Sequence, residues 1–259
     1  MVAALCQIPL IWESARENIL FCDDVLQTLF ENFKEVDIVV FPEFFTTGFS
    51  MNEKNCEEGD GYSLKWMVYA SHKYGCAIAA SVPVKEGGRC YNRAYFVTPS
   101  GNIYSYDKRH LFSYGGEDQV FSPGRDLTLV SYKGWNIALQ ICYDLRFPVY
   151  IRNRELKYDL VINMANWPSA RDAVVDPLVR SRAIENICYY AFVNRTGSDP
   201  QNKYNPVGFI SDYKGNHMLP FLYIDEYYIS LYTLDRSELN SFREKFRSWE
   251  DADNFKLEI

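Results

Sequence analysis

The chain has 259 residues, 47% of them hydrophobic and 16% aromatic, and its formal net charge is −7. That length and apolar content suit one α/β domain, residues 1–259, with a sizeable core of its own. The acidic balance argues against a nucleic acid or an anionic membrane surface as partner, and no apolar run is long enough to span a bilayer. The 7 cysteines are odd in number and form no C-x-x-C pair, which points to free thiols in a reducing cytoplasm.

Met1 to Pro9 lacks a basic lead and is interrupted by Gln7 and Pro9, so it reads as a first strand and not as a signal peptide. Ser14 is placed to cap a helix whose apolar positions Ile19, Cys22, Leu26, Leu29, Phe30 and Phe33 recur at helical spacing. Val36 to Phe41 is a β-branched run expected as a buried strand; Pro42 stops it and Glu43 follows. Phe44 to Gly61 reads as a loop, and Tyr62 to Tyr74 as a helix closed by Gly75. Cys76 to Val82 is the next strand. Strands Cys90 to Thr98 and Asn102 to Tyr106 then join through Pro99-Ser100-Gly101-Asn102, a hairpin signal.

Asp107-Lys108-Arg109-His110-Leu111-Phe112 comes straight after that hairpin. From Leu127 the pattern predicts a strand, a turn at Gly134, a strand reaching Cys142 and a helix opened by Pro148 and running to about Lys157. A strand Asp159 to Asn163, a helix Asp172 to Asn186 and a strand Cys188 to Asn194 follow. Val207 to Ser211 and His217 to Leu219 flank a turn at Lys214-Gly215-Asn216, with a late strand Tyr227 to Tyr232 and a C-terminal helix Asp235 to Arg247. The alternation implies a mixed sheet, or two sheets, with helices outside.

Glu43, Lys108 and Cys142 each stand directly beyond an apolar strand. Polar side chains at such positions line a cleft at a sheet's edge. A carboxylate, an ammonium and a thiol together supply a base, an electrostatic stabiliser and a nucleophile. The plainer alternatives are a loop cap for Glu43, a solvated Lys108 and a buried free thiol for Cys142. There is no G-x-S-x-G, P-loop or H-E-x-x-H. Of the three histidines, His72, His110 and His217, only His110 offers a rival Cys–His dyad, and no Cys/His clustering suggests a metal site.

Pro42-Glu43-Phe44, Tyr106-Asp107-Lys108-Arg109-His110-Leu111-Phe112 and Ile141-Cys142-Tyr143-Asp144-Leu145-Arg146-Phe147-Pro148 resemble, in the same order, the three signatures of the nitrilase superfamily of carbon–nitrogen hydrolases. Phe44-Phe45-Thr46-Thr47-Gly48-Phe49, Ala165-Asn166-Trp167-Pro168 and Arg182-Ala183-Ile184-Glu185-Asn186 resemble its omega-amidase-like branch. The resemblance implies a four-layer α-β-β-α sandwich, usually paired across a two-fold axis. It implies Cys142 as nucleophile, Glu43 as general base, Lys108 as stabiliser of the tetrahedral intermediate, and Glu117 as a second glutamate that helps position the substrate. It requires no metal or organic cofactor.

The chemistry this predicts is hydrolysis of a small carboxamide. A free thiol, with a pKa of about 8.5, is mostly protonated at neutral pH. Lys108 would favour the thiolate, Glu43 would take the proton, and the Tyr143 backbone N–H would join Lys108 at the oxyanion. Omega-amidases act on dicarboxylate monoamides such as 2-oxoglutaramate or succinamate, whose far carboxylate needs a cation. Arg146 and Arg171 are candidates, Arg146 alternatively pairing with Asp144 to hold the turn. Phe45 and Trp167 are candidate pocket walls. Nitrilase, N-carbamoyl amidase and deaminated-glutathione amidase remain alternatives, as does a non-catalytic scaffold of the same fold.

Overall fold

The computed structural model describes residues 1–257. In chain order its strands are β1 (Val2–Cys6), β2 (Ile38–Val40), β3 (Glu57–Glu58), β4 (Ala77–Glu86), β5 (Arg89–Val97), β6 (Ile103–Asp107), β7 (Leu129–Tyr132), β8 (Trp135–Ile141), β9 (Leu160–Ala165), β10 (Tyr189–Asn194), β11 (Gly197–Ser198), β12 (Lys203–Tyr204), β13 (Phe209–Ser211), β14 (Leu222–Ile224) and β15 (Ile229–Thr233). Its α-helices are α1 (Ala15–Asn32), α2 (Tyr62–Tyr74), α3 (Val175–Asn186) and α4 (Arg236–Lys245).

The larger sheet has the order β14-β15-β1-β2-β4-β5-β6, with β3 paired to β4, and the smaller one β13-β10-β9-β8-β7. In the larger sheet β1, β2 and β4 are parallel; β5 reverses and β6 reverses again, so β6 runs with β4. In the smaller sheet β8, β9 and β10 are parallel. The C-terminal ends of β2, β6, β8 and β9 therefore gather at one end of the molecule.

The period of two along each strand sorts the side chains into layers. Ala3, Leu5, Ile38, Val40, Ala77 and Ala79 share a core with Ile137, Leu139 and Ile141 of the facing sheet. Their neighbours Ala4, Cys6, Val39, Ile78 and Ala80 face the other way, onto Ile19, Cys22, Val25, Leu26 and Leu29 of α1 and onto Trp66, Met67 and Ala70 of α2. On the far side α3 packs on β10 and β13. Its Val175, Val179 and Ala183, with Leu239 of α4, extend the central core. The architecture is a four-layer α-β-β-α sandwich. All seven cysteines are free thiols, and among the described residues no helix is long and apolar enough to cross a membrane.

Most expected elements are present, with informative exceptions. The helix expected from Pro148 to Lys157 is absent: Arg154–Leu156 form a single 3-10 turn in which Glu155 (φ 59°) and Leu156 (φ 51°) are left-handed. Asn153 holds this stretch as a loop. Its backbone N–H donates to Asn186 Oδ1 at 2.8 Å, and its Nδ2 to the carbonyls of Tyr158 at 2.9 Å and Asn186 at 3.0 Å. Ser14 precedes α1 but does not cap it, its hydroxyl donating to Glu17 at 2.8 Å. The strand expected over His217–Leu219 shrinks to one bridge between Ser211 and His217. The edge strand β14 was not anticipated.

Helix α4 is fastened by one buried polar side chain besides the apolar Leu239. Arg243 donates to Asp159 Oδ1 at 2.6 Å, to the Tyr158 carbonyl at 2.7 Å and to the Ile187 carbonyl at 2.8 and 3.0 Å. Arg243→Met strips Asp159 of its buried partner and takes from the Ile187 carbonyl the donor it has here, while the Tyr158 carbonyl keeps Asn153 Nδ2. A loss of about 3–5 kcal/mol is expected, the cost of breaking a buried pair, read as a lower urea midpoint with an unchanged slope.

Candidate active site

Three loops beyond strand ends bring Glu43, Lys108 and Cys142 together. Pro42 ends the β2 segment and Glu43 follows; Lys108 is the residue after β6; Cys142 is the residue after β8. Cys142 has φ +45° and opens a 3-10 turn, Cys142–Arg146. A left-handed backbone at a non-glycine residue costs about 1–3 kcal/mol and persists only where its surroundings enforce it. Asp144, fully buried, provides the enforcement. Its Oδ2 accepts from the Ile141 N–H at 3.0 Å and the Tyr106 hydroxyl at 2.7 Å. Its Oδ1 accepts from the His110 backbone N–H at 3.0 Å and lies 2.8 Å from His110 Nδ1.

One carboxylate thus ties the cysteine turn to β6 and to the loop carrying Lys108. The pairing of Arg146 with Asp144 does not form, because Asp144 is taken by these groups. Arg182 secures the turn instead, donating to the Leu145 carbonyl at 3.0 Å. His110 is committed to Asp144 and stacked on Phe147, with ring centroids 3.9 Å apart. That geometry makes it a support of the turn and weakens its claim as the base of a Cys–His dyad.

The charged cluster is fully enclosed. Lys108 Nζ donates to Glu43 Oε1 at 2.8 Å and to Glu117 Oε1 and Oε2 at 3.0 and 2.8 Å, all three side chains being 0% exposed. Asn92 Nδ2 donates to Glu43 Oε1 at 2.8 Å and Glu117 Oε1 at 2.9 Å. The Asn166 backbone N–H donates to Glu43 Oε2 at 2.8 Å, and its side-chain amide to the Glu43 carbonyl. Cys142 Sγ lies 3.9 Å from the Asn166 carbonyl oxygen.

These surroundings decide the protonation states. Burial opposes the charge on Lys108, but the attraction of Glu117 and Glu43 outweighs it, and the ammonium is held more firmly than usual. Burial, and then Glu43, push Glu117 up against the pull of Lys108 and Asn92. Burial, then the Glu43 charge, push the Cys142 thiol well up, and Lys108 only partly counters them. Lys108 thus favours the thiolate, as expected, but burial and the neighbouring carboxylates outweigh it, and the thiol form of Cys142 is the one its surroundings favour.

A cavity of about 260 Å³ opens above Cys142. Tyr143, Arg146, Trp167 and Arg171 line it. Phe45 does not. The left-handed turn at Phe44 (φ 44°) sends the Phe45 ring back into the core, 5.8 Å from the Phe41 ring and 5.5 Å from Trp66. Phe49, Phe112 and Tyr204 form the aromatic wall in its place. Arg146 lies over the Trp167 ring at 5.2 Å and Arg171 over Phe112 at 4.9 Å. Among the described residues neither guanidinium has a hydrogen-bond or ion-pair partner. No group of three or more His, Cys, Asp or Glu among those residues is arranged to hold a metal ion.

Sequence reasoning did not single out Asn92, Asn166 or Asp144 as parts of this site. Asn166 obeys the same placement rule as the other three, standing just beyond β9. Asn92 interrupts the buried alternate positions of β5, otherwise Cys90, Ala94 and Phe96, which is itself a signal, since a buried amide needs partners.

Comparison with known proteins gives a consistent setting. A family model described as carbon-nitrogen hydrolase matches residues 2–238. An omega-amidase, YafV, of Yersinia enterocolitica is 36% identical over 254 residues, 98% of this chain and 97% of that protein. A 2-oxoglutaramate amidase of Bacillus subtilis is 35% identical over 176 residues, 66% of this chain and 68% of that one. The crystal structure of XC1258 from Xanthomonas campestris, a CN-hydrolase superfamily protein with an arsenic adduct in its active site, superposes with a TM-score of 0.93 at 35% identity, covering 100% of this chain and 99% of that one.

The enclosure of Lys108 makes a sharp prediction. A guanidinium is a broad planar fork, and the gap between Glu43 and Glu117 fits a compact ammonium. Lys108→Arg is expected to lose activity as severely as Lys108→Met, measured as kcat/KM on an amide with folding checked by circular dichroism. An Arg variant within threefold of wild type, about 0.65 kcal/mol in the barrier, would remove Lys108 from the catalytic centre.

Proposed function

The chain belongs to the carbon-nitrogen hydrolase family, within the nitrilase superfamily, and from that premise we propose that this amidase hydrolyses the monoamide of a small dicarboxylate, such as 2-oxoglutaramate or succinamate, to acid and ammonia. One observation carries the reading: Cys142, backed by the buried Glu43 carboxylate and Lys108 ammonium, lies at the foot of a cavity whose wall presents two guanidiniums with no hydrogen-bond or ion-pair partner among the described residues. The first group can cleave an amide, and the second can hold a distal carboxylate. The omega-amidase relatives support the same substrate class.

In this reading the whole chain works as one hydrolase domain. The amide carbonyl carbon settles over Cys142. Sγ attacks it as Glu43 takes the thiol proton, so no free thiolate has to accumulate in the buried site. The carbonyl π pair moves onto oxygen, where Lys108 Nζ and the Tyr143 backbone N–H meet the developing charge, an interaction worth roughly 3–4 kcal/mol per donor in other enzymes. Glu43 passes its proton to the nitrogen, the C–N bond breaks and ammonia leaves. The acyl group remains on Cys142 as a thioester. Water then attacks while Glu43 accepts its proton; the C–S bond breaks, the acid departs, and the sulphur recovers a proton. Glu117 holds Lys108 in place throughout, and Trp167 and Arg146 or Arg171 orient the substrate. No step calls on a metal or organic cofactor. The free thiols and the family's habit of pairing support a cytoplasmic homodimer, or higher homo-oligomer, acting on small molecules.

The test measures ammonia and product acid from succinamate and from the uncharged butyramide, with wild type, Cys142→Ala, Arg146→Met and Arg171→Met. A charge-assisted bond is worth about 1.5–3 kcal/mol, so succinamate is expected to win by roughly 10- to 100-fold in kcat/KM. Loss of that margin in one arginine variant, with butyramide turnover kept, identifies the clamp. Equal kcat/KM for both amides would remove the carboxylate reading, and turnover by clean Cys142→Ala would remove the nucleophile.

A further inference from the structure

Asn92 on β5 is fully buried beside the reacting groups and takes no part in the steps just described. Its Nδ2 and Lys108 Nζ donate to the same two oxygens, Glu43 Oε1 and Glu117 Oε1, at 2.8 to 3.0 Å. Two carboxylates thus meet across two nitrogens, one charged and one neutral. The amide's orientation follows from its other end. The Phe44 N–H donates to Ser81 Oγ at 2.9 Å, which leaves the hydroxyl hydrogen for Asn92 Oδ1 at 3.0 Å. A flipped amide would set its oxygen against both carboxylates. The Asn92 carbonyl also accepts the Lys108 backbone N–H at 2.9 Å, so one residue sets both the lysine's backbone and the carboxylates it serves.

The charge count gives this arrangement its meaning. The titratable groups facing Glu43 are Lys108 beyond β6, Glu117 in the 3-10 turn Glu117–Gln119, Cys142 beyond β8 and, more distantly, Tyr204 of β12; Asn166 beyond β9 contributes only amide N–H groups. Two acids therefore share one ammonium. Adjacent carboxylates without enough donors retain a proton, and a protonated Glu43 cannot receive one from Cys142. A second lysine would fix the ionised form but would also blunt the base. A neutral amide with two N–H groups stabilises both carboxylates without adding charge.

We propose that Asn92 is a positioning residue that keeps the Glu43–Glu117 pair ionised and aimed, so that Glu43 serves as a base at neutral pH. The inference rests on the assignment of Cys142, Glu43 and Lys108 given above.

The test is the pH profile of kcat/KM from about pH 5 to about pH 10, on succinamate, or on butyramide if succinamate is not turned over. In Asn92→Asp a third acid faces one ammonium and the cluster binds an extra proton. The acid limb is expected to move up by about one pH unit or more, a tenfold or greater deficit on the acid side that narrows as pH rises. Asn92→Leu removes both N–H groups and should move the limb in the same direction by less. Ser81→Ala, which leaves Asn92 in place but frees its amide, should give a smaller shift of the same sign. Folded Asn92 variants that are slower at every pH with the limb unmoved would overturn the proposal. If neither folds, an unmoved limb in Ser81→Ala overturns it. Glu43→Gln separates the two levels: activity there removes the underlying base assignment, whereas an inactive Glu43→Gln beside unshifted Asn92 variants removes this inference alone.

Discussion

An ammonium buried between two carboxylates is the interaction on which the rest of the structure depends. Taking each charge out of water costs several kcal/mol after relaxation, and the attraction between them repays this only when the remaining hydrogen-bonding capacity is filled. Here it is filled. Glu43 Oε1 is met by Lys108 and Asn92, and Oε2 by the Asn166 N–H. Glu117 Oε1 is met by Lys108 and Asn92, and Oε2 by Lys108 and the Phe112 N–H at 2.6 Å. These donors come from β5, from the loops after β6 and β9 and from the turn before Glu117. No single element could supply them. The sandwich brings the ends of strands from two sheets to one point, and that convergence makes the cluster possible.

The same convergence accounts for the strain. Cys142 and Phe44 both carry positive φ, at 45° and 44°. At Phe44 the turn reverses the chain so that Glu43 enters the cluster while Phe45 returns to the core. At Cys142 the turn lifts the sulphur off the end of β8 toward Glu43 and the cavity. Both are held by buried polar anchors, Ser81 under Phe44 and Asp144 under the cysteine turn. The anchors also link the loops to each other, since Ser81 reaches Asn92 and Asp144 reaches His110. A displaced anchor would therefore disturb base, lysine and thiol together.

The sequence makes the strand-end placement of Glu43, Lys108 and Cys142 legible because apolar strands are easy to read and a polar residue just beyond one stands out. The same rule extends to Asn166. Asp144 and Asn92 were harder, for a physical reason: their value lies in partners 11 to 49 residues away, and spacing along a chain does not report which loops will meet. Arg146 shows the converse case: its alternative reading as a partner of Asp144, a near neighbour in sequence, gives way in space to the distant Tyr106. Phe45 failed because one left-handed residue reverses the face of everything after it. The helix expected from Pro148 failed because Asn153 trades helical hydrogen bonds for tertiary ones with Tyr158 and Asn186. Periodicity located the layers well, and it located least well the short segments whose shape is set by a single buried amide.

The central claim is that Cys142 carries the acyl group. The most direct measurement quenches the enzyme with acid during turnover of succinamate, weighs the intact protein and maps the adduct by peptide mass, with a parallel reaction in hydroxylamine to divert the same intermediate to a hydroxamate. The account predicts a succinyl thioester on the peptide containing Cys142, its absence from Cys142→Ala, and hydroxamate formed at the expense of free acid. Ammonia release with no hydroxamate at any hydroxylamine concentration, or an adduct mapped to another residue, would contradict it.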